Sequence, residues 1–250
     1  MPVEFRKASR KKKFFKGIAY GPSKSGKTLG SLLFGSAFGE VALIDTQQPQ
    51  GEEYADLFEY SYFAIEPPYK PEKLYEVIDA AIEAKINFLV IDSISHFWER
   101  DGGFLSMSIQ AQKRGKNSFT AWGDITPKYD EFVRKILESP INIMCTARAK
   151  THYDVSTDSD GRMKPQKVGM KPIQRDGIEY EFDVEFDISH ASHEATITTR
   201  NVGGEVGELN EKSVLLSKQI GEVFRRWCEV GEEPVKKQKP VKTEPEEDAF

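Results

Sequence analysis

Residues 21–28 read Gly21-Pro22-Ser23-Lys24-Ser25-Gly26-Lys27-Thr28, with Leu29 directly behind them. This spacing of glycines, lysine and hydroxyl is one that turns backbone amides onto an anion. Glycine lets the main chain come close to phosphate oxygens, and a helix starting here adds the partial positive charge of its N-terminus. Lys27 is placed to reach the β and γ phosphates of a nucleotide, and the Thr28 hydroxyl to hold Mg2+. The cradle would run from Gly21 to Leu29. Lys24 is an extra cation in the loop, as readily solvated as bound to phosphate.

Such a loop needs an acid at the end of a neighbouring strand to help place the metal. Asp92, after Phe88-Leu89-Val90-Ile91, is the preferred choice. Asp45, after Val41 to Ile44, has the same apolar lead-in and is the competitor. For either, the plainer reading is an acid that caps a loop.

The elements that must position these residues alternate along the chain. Phe14 to Tyr20, Val41 to Asp45, Phe88 to Asp92 and Ile141 to Ala147 are short apolar runs of the buried-strand kind, and Tyr62 to Ile65 is a weaker one. Between them lie helical patterns: Leu29, Leu32, Leu33 and Phe34; Leu74, Val77, Ile78, Ala81 and Ile82, with Pro71 in a first-turn position; and Tyr129, Phe132, Val133, Ile136 and Leu137, stopped by Pro140. Apolar strands alternating with amphipathic helices predict an α/β fold with a mostly parallel sheet.

The pattern then changes. Tyr180, Phe182, Val184, Phe186 and Ile188 alternate with acids from Glu179 to Asp187, which predicts a half-exposed strand paired with Glu194 to Arg200 as an antiparallel hairpin at one edge. Lys150 to Arg175 has no periodicity and is expected to be a mobile loop. Val214, Leu215, Val223, Phe224 and Trp227 predict a final helix. The expected organisation is a basic arm over 1–13, a core over 14–230 and a flexible charged tail over 231–250.

Composition sets the outer limits. The 250 residues are 38% apolar and 30% charged with net charge −5, enough for a large core and too acidic overall for indiscriminate coating of nucleic acid. A local basic groove remains open, and Arg6 to Lys16 is one candidate for phosphate contact, a solvated arm the other. No apolar run is long enough for a membrane helix, and Met1 to Lys16 lacks the apolar core of a secretory signal. Cys145 and Cys228 make no disulfide framework. A cytoplasmic protein without membrane contact is expected.

Six blocks occur in one order: Gly21 to Thr28, Leu43-Ile44-Asp45-Thr46, Glu66-Pro67-Pro68-Tyr69, Ile91-Asp92-Ser93-Ile94-Ser95-His96, Asn117-Ser118-Phe119-Thr120-Ala121-Trp122, and Pro172-Ile173-Gln174-Arg175-Asp176-Gly177-Ile178-Glu179-Tyr180-Glu181-Phe182. Together they resemble the bacteriophage RecA-like P-loop ATPases, the Sak-type single-strand annealing and recombination proteins that are also called AAA-family ATPases. The resemblance runs from about Phe14 to Arg200. It implies a RecA-like core that binds ATP and Mg2+, works on single-stranded DNA in recombination or replication, and assembles as a homo-oligomer in the host cytoplasm.

It also implies roles. Where such ATPases carry a water-activating glutamate, this chain has Gln47, which can orient water but is a poor base; Glu52, Glu53 or Glu99 would have to substitute. Thr146, Arg148 and Lys150 fall where a γ-phosphate sensor is expected. The segment to Pro172 stands in place of a DNA-binding loop, with Arg162, Lys164, Lys167 and Lys171 set against Asp154, Asp158 and Asp160. Arg175 is the choice for an arginine finger supplied to a neighbouring subunit, or else a structural ion-pair partner of the acids from Glu179 to Asp187. The tip from Glu244 to Phe250 resembles the acidic ends of single-stranded DNA-binding proteins and could recruit such a partner, or be a solubilising tail.

Two other functions stay open: a module in which ATP switches DNA binding without hydrolysis, for which Gln47 speaks, and a P-loop small-molecule kinase, which should carry an arginine-rich lid. His152, His190 and His193 do not make a zinc ligand set. His96 could touch phosphate or serve structure alone. Trp98, Phe119 and Trp122 could stack bases or fill core.

Overall fold

The computed structural model describes residues 5, 7–47, 50–157, 163–200 and 203–233. The chain forms β1 (Lys16–Gly21), α1 (Lys27–Gly35), β2 (Val41–Asp45), β3 (Ser61–Ala64), α2 (Pro71–Glu83), β4 (Phe88–Asp92), α3 (Ser95–Glu99), α4 (Phe104–Lys113) and α5 (Ser118–Glu138). It continues with β5 (Asn142–Thr157), β6 (Met163–Pro172), β7 (Val184–Ile188), β8 (Ala195–Thr199), α6 (Gly204–Glu208), β9 (Ser213–Val214) and α7 (Lys218–Glu229). The main sheet runs β3-β2-β4-β5-β1-β7-β8-β9. Pairs from β3 to β7 are parallel; β7–β8 and β8–β9 are antiparallel and make the far edge.

Strands buried on both faces explain the continuous apolar runs. In β4, Leu89 and Ile91 enter a core shared with Leu74 and Ile78 of α2 and Phe132 and Ile136 of α5. Phe88 and Val90 enter a second core with Leu32 and Phe34 of α1 and Phe224 of α7. Helices therefore cover both sides of the sheet. Glycine is required where α7 crosses α1: a Cβ on Gly221 would lie 2.1 Å from the Phe34 carbonyl oxygen. Asn117 caps α5, its side chain accepting from the Thr120 amide at 2.9 Å. No helix among the described residues is long and apolar enough to cross a membrane.

Three expectations about the elements are corrected. The segment expected as an irregular mobile loop, 150–175, forms most of a hairpin: β5 continues past the sheet to Thr157 and pairs antiparallel with β6, from Ala149↔Pro172 to Thr157↔Met163. Its polar residues on both sides hide the strand period from the sequence. The acid-alternating stretch is a strand only from Val184, because Ile178–Glu181 closes a 3-10 turn. From there it pairs antiparallel with β8 towards the far edge of the sheet, as the alternation predicts. Val214 belongs to β9, and Leu215 is exposed, so the last helix starts only at Lys218, capped by Ser217.

From Arg10 to Lys13 the basic arm is stitched down. Lys12 N–H donates to Glu232 O at 2.9 Å and Glu232 N–H to Arg10 O at 3.0 Å. Lys11 and Lys12 pair with Glu232 and Glu233. Lys13 pairs with Asp183 at 2.8 Å and stands 3.9 Å above the Trp227 ring. Lys16 is buried and donates to the carbonyls of Ser139 and Ile141 at 2.8 and 2.7 Å, so it is no phosphate contact. The tail from 234 onward, Arg162, Asp158 and Asp160 lie outside the described residues, as do the side chains of Asp154, Lys164 and Lys167.

Candidate nucleotide site

β1 ends at Gly21 and α1 begins at Lys27, so the glycine loop spans the gap between a buried strand and a helix N-terminus. Gly26 occupies the position before the helix at φ +89°, a conformation side chains resist. The first-turn amides of α1 have no partner within the helix and form an anion-binding end. Ser25 Oγ is buried with no hydrogen-bond partner, a further polar atom facing inward at the cradle. His193, in the turn between β7 and β8, walls this loop: its Nδ1 lies 3.8 Å from where a Cβ on Gly26 would stand.

Lys27 is nearly buried, and its Nζ donates to the carbonyls of Gly21 at 3.1 Å and Pro22 at 2.6 Å. Burial lowers its pKa and Arg148 pushes the same way, while the charge of Asp92 opposes them. The loop backbone thus folds around the ammonium and presents it at the strand ends.

Asp92 is the hub. Its Oδ2 accepts from the Thr28 hydroxyl. Its Oδ1 accepts from the Thr146 hydroxyl at 2.6 Å and from Gln47 Nε2 at 3.0 Å. Asp45 does different work: Oδ1 takes the Gln47 amide at 2.6 Å, and Oδ2 takes the Gly51 amide and the Tyr62 hydroxyl, both at 3.0 Å. It ties down the turn after β2 and contacts no residue of the glycine loop through these bonds. Of the two acids, Asp92 is the one bonded to the glycine loop's Thr28. Thr28 and Asp92 offer a hydroxyl and a carboxylate side by side, a hard-oxygen set that suits Mg2+.

Thr46 ties the ends of β2 and β4 together. Its amide donates to Asp92 O at 2.7 Å, and its hydroxyl accepts from the Ser93 amide at 2.9 Å. Its carbonyl accepts from the Tyr69 hydroxyl at 3.1 Å and lies 3.0 Å from His96 Nδ1. His96 is therefore a brace for the peptide that leads into Gln47, and burial lowers its pKa.

The structure brings Lys27, Thr28, Gln47, Asp92 and Arg148 together. Arg148 pairs with Glu99 at 3.3 Å, and its amide donates to Ser95 Oγ at 3.0 Å. Glu99 is thereby engaged, while Glu52 and Glu53 are exposed on a 3-10 turn. Arg175 stands apart, 3.6 Å from Asp130 and over the Tyr129 ring, so its ion-pair partner is Asp130 and not an acid of the 179–187 stretch. Lys150 lies beyond Arg148 on β5 and is exposed.

Sequence reasoning missed Tyr54. It reaches from the 3-10 turn Gln50–Asp56 towards Thr28, and burial, followed by the charge of Asp92, raises its pKa. A tyrosine in an acidic, aperiodic stretch gives no signal for this. Among the described residues no cluster of three histidine, cysteine or acidic side chains could hold a metal. Cys145 is inert core: burial raises its pKa.

No curated protein matches the chain. The sequence model of a family described as AAA domain matches residues 13–219, which spans every strand of the sheet and both halves of the site. A glycine-loop cradle at the end of β1, a carboxylate at the end of β4 that meets the first turn of α1, and a family match over most of its length place this chain in the AAA domain family of P-loop ATPases.

Proposed function

We propose that the chain is a RecA-like ATPase that hydrolyses Mg-ATP while acting on single-stranded DNA, in bacteriophage recombination or replication. The observation that carries the catalytic half is the meeting of Thr28 and Asp92 beside Lys27 at the mouth of the glycine loop. The DNA half is supported by the resemblance of the six sequence blocks.

In this reading the loop amides and Lys27 neutralise the phosphate oxygens as charge spreads during transfer. Thr28 and Asp92 would hold Mg2+, which would supply positive charge against the phosphates. Water adds to the γ phosphorus, the bond to the bridging oxygen breaks, and ADP and phosphate leave. Gln47 orients that water, held towards the site by Asp92. The assembly is a homo-oligomer in which Arg175, absent from the site of its own chain, completes the site of a neighbour.

A second reading has one specific observation in its favour. Gln47 stands at the end of β2 with its amide bonded to Asp92, and an amide cannot accept the proton of the attacking water. ATP would then act as a switch for DNA binding, with negligible turnover. Phosphate release with and without single-stranded DNA, beside Lys27→Ala, separates the two. DNA-stimulated release abolished in the variant establishes the ATPase. ATP-dependent DNA binding without release establishes the switch.

A further inference from the structure

Phe119 is 89% exposed in the first turn of α5, an aromatic ring that no core uses. Phe119, Trp122 and Thr126 follow one another at helical spacing and share one face of α5. Trp122 stacks on Trp98 of α3 with ring centroids 5.6 Å apart and planes at 29°, and both indoles are only half-buried. Beside them opens a cavity of about 420 Å³ lined by Trp98, Trp122, Thr126, Lys150, Gln174 and Arg175, with Asp176 at its rim.

Charge adds to this. The segment between Asp101 and Asp124, which leads into the aromatic stretch, holds Lys113, Arg114 and Lys116; Lys116 pairs with Asp124, so Lys113 and Arg114, with Lys150 in the cavity, are the cations this face offers. Rings flanked by cations complement a polyanion that exposes flat bases. A single strand fits that description; a duplex keeps its base faces stacked inside. Base–aromatic stacking is tolerant of sequence, and losing one stacked base lowers affinity by about 5- to 150-fold.

We propose that the exposed face of α5 and this cavity form a stacking platform for single-stranded DNA, with one base on Phe119, one at the Trp98–Trp122 pair, and Lys150 on a phosphate between them. The proposal rests on the reading of the chain as acting on single-stranded DNA, and it gives that reading a location. The platform also adjoins the nucleotide site. Trp98 precedes Glu99, the partner of Arg148, and Gln174 Nε2 donates to Ile94 O at 2.6 Å, two residues after Asp92.

The test uses the full chain and fluorescein-labelled oligothymidylate, read by anisotropy with Mg-ATP present, against a duplex control. Phe119→Ala is expected to weaken single-strand binding about ten-fold, with Phe119→Tyr within about two-fold of wild type. Lys150→Ala is expected to flatten the plot of log affinity against log salt by about 0.7. Thermal stabilisation by Mg-ATP should be the same in both Phe119 variants as in wild type. Wild-type binding left unchanged by Phe119→Ala and Lys150→Ala overturns the platform and leaves the DNA reading standing. No oligothymidylate binding by wild type overturns both. Unchanged DNA affinity with a smaller particle mass in Phe119→Ala overturns the proposal in favour of a contact between copies.

Discussion

The Thr28 hydroxyl donates to Oδ2 of Asp92, bonding the first turn of α1 to the end of β4. With Thr146 and Gln47 on Oδ1, the carboxylate takes donors from α1, β5 and the end of β2. An acid so fully engaged is held in one orientation, which is what placing a metal requires.

Asp92→Asn should therefore do two things. Its amide group turns a donor towards other donors, at a cost of about 1–3 kcal/mol of stability. It also removes the charge that makes Mg2+ tighten nucleotide binding. Calorimetric ATP titrations with and without Mg2+ check this. A variant whose ATP affinity still rises with Mg2+ as in wild type would reopen the case for Asp45.

Lys27→Ala should abolish stabilisation by nucleotide. Wild type at a hundred-fold excess of ATP over its Kd gains about 2.7 kcal/mol, visible as a raised melting temperature. The variant should show no rise. Its own stability should change little, since the ammonium it loses is unfavourably buried and bonds only two carbonyls.

Gln47→Glu puts a carboxylate oxygen where the amide nitrogen now stands, 3.0 Å from Asp92 Oδ1. Two acids this close repel, so the variant should melt below wild type, and Mg2+ should recover part of the loss. If a missing base limits turnover, phosphate release should rise at least about a hundred-fold, the low end for a positioned base. Single-turnover release by the two proteins decides it.

The parallel half of the fold was legible because strands buried on both faces write themselves as apolar runs, and helices between them carry a stripe. The glycine loop was legible because its chemistry is local. What could not be read depends on partners far along the chain. Asp45 and Asp92 have equivalent lead-ins, and only the approach of Thr28 and Thr146 tells them apart. The lysines of the arm looked available until Glu232, Glu233 and Asp183 were found beside them. The β5–β6 hairpin carries polar residues on both faces, which erases the period of two. Tyr180 and Phe182 alternate with acids, yet Tyr180 belongs to a 3-10 turn and is exposed.

Lys16 predicts a pH dependence. Burial holds its pKa down at about 7, below its ordinary value. Between pH 7 and 10.5 the unfolded chain thus binds the proton that the folded chain has released, and stability rises with pH across that window. From pH 7 to 9.5 the rise is about 3 kcal/mol. Lys16→Met should lack this component. Denaturant unfolding of both proteins at the two pH values measures the difference.

The sixteen residues of β5 run from the sheet into the hairpin, regular as far as a register shift between His152 and Tyr153. Thr146 touches Asp92, Arg148 touches Glu99, and Lys150 lines the aromatic cavity, so alternate residues of one strand serve three stations in turn. The strand is a ruler with about 6.6 Å between marks, and its phase is as fixed as its length. One residue inserted after Arg148 would invert every later side chain, while two would restore the faces and move the hairpin one mark outward. The separation of the nucleotide site from the cavity is thus written in covalent geometry, and no repacking of side chains can retune it.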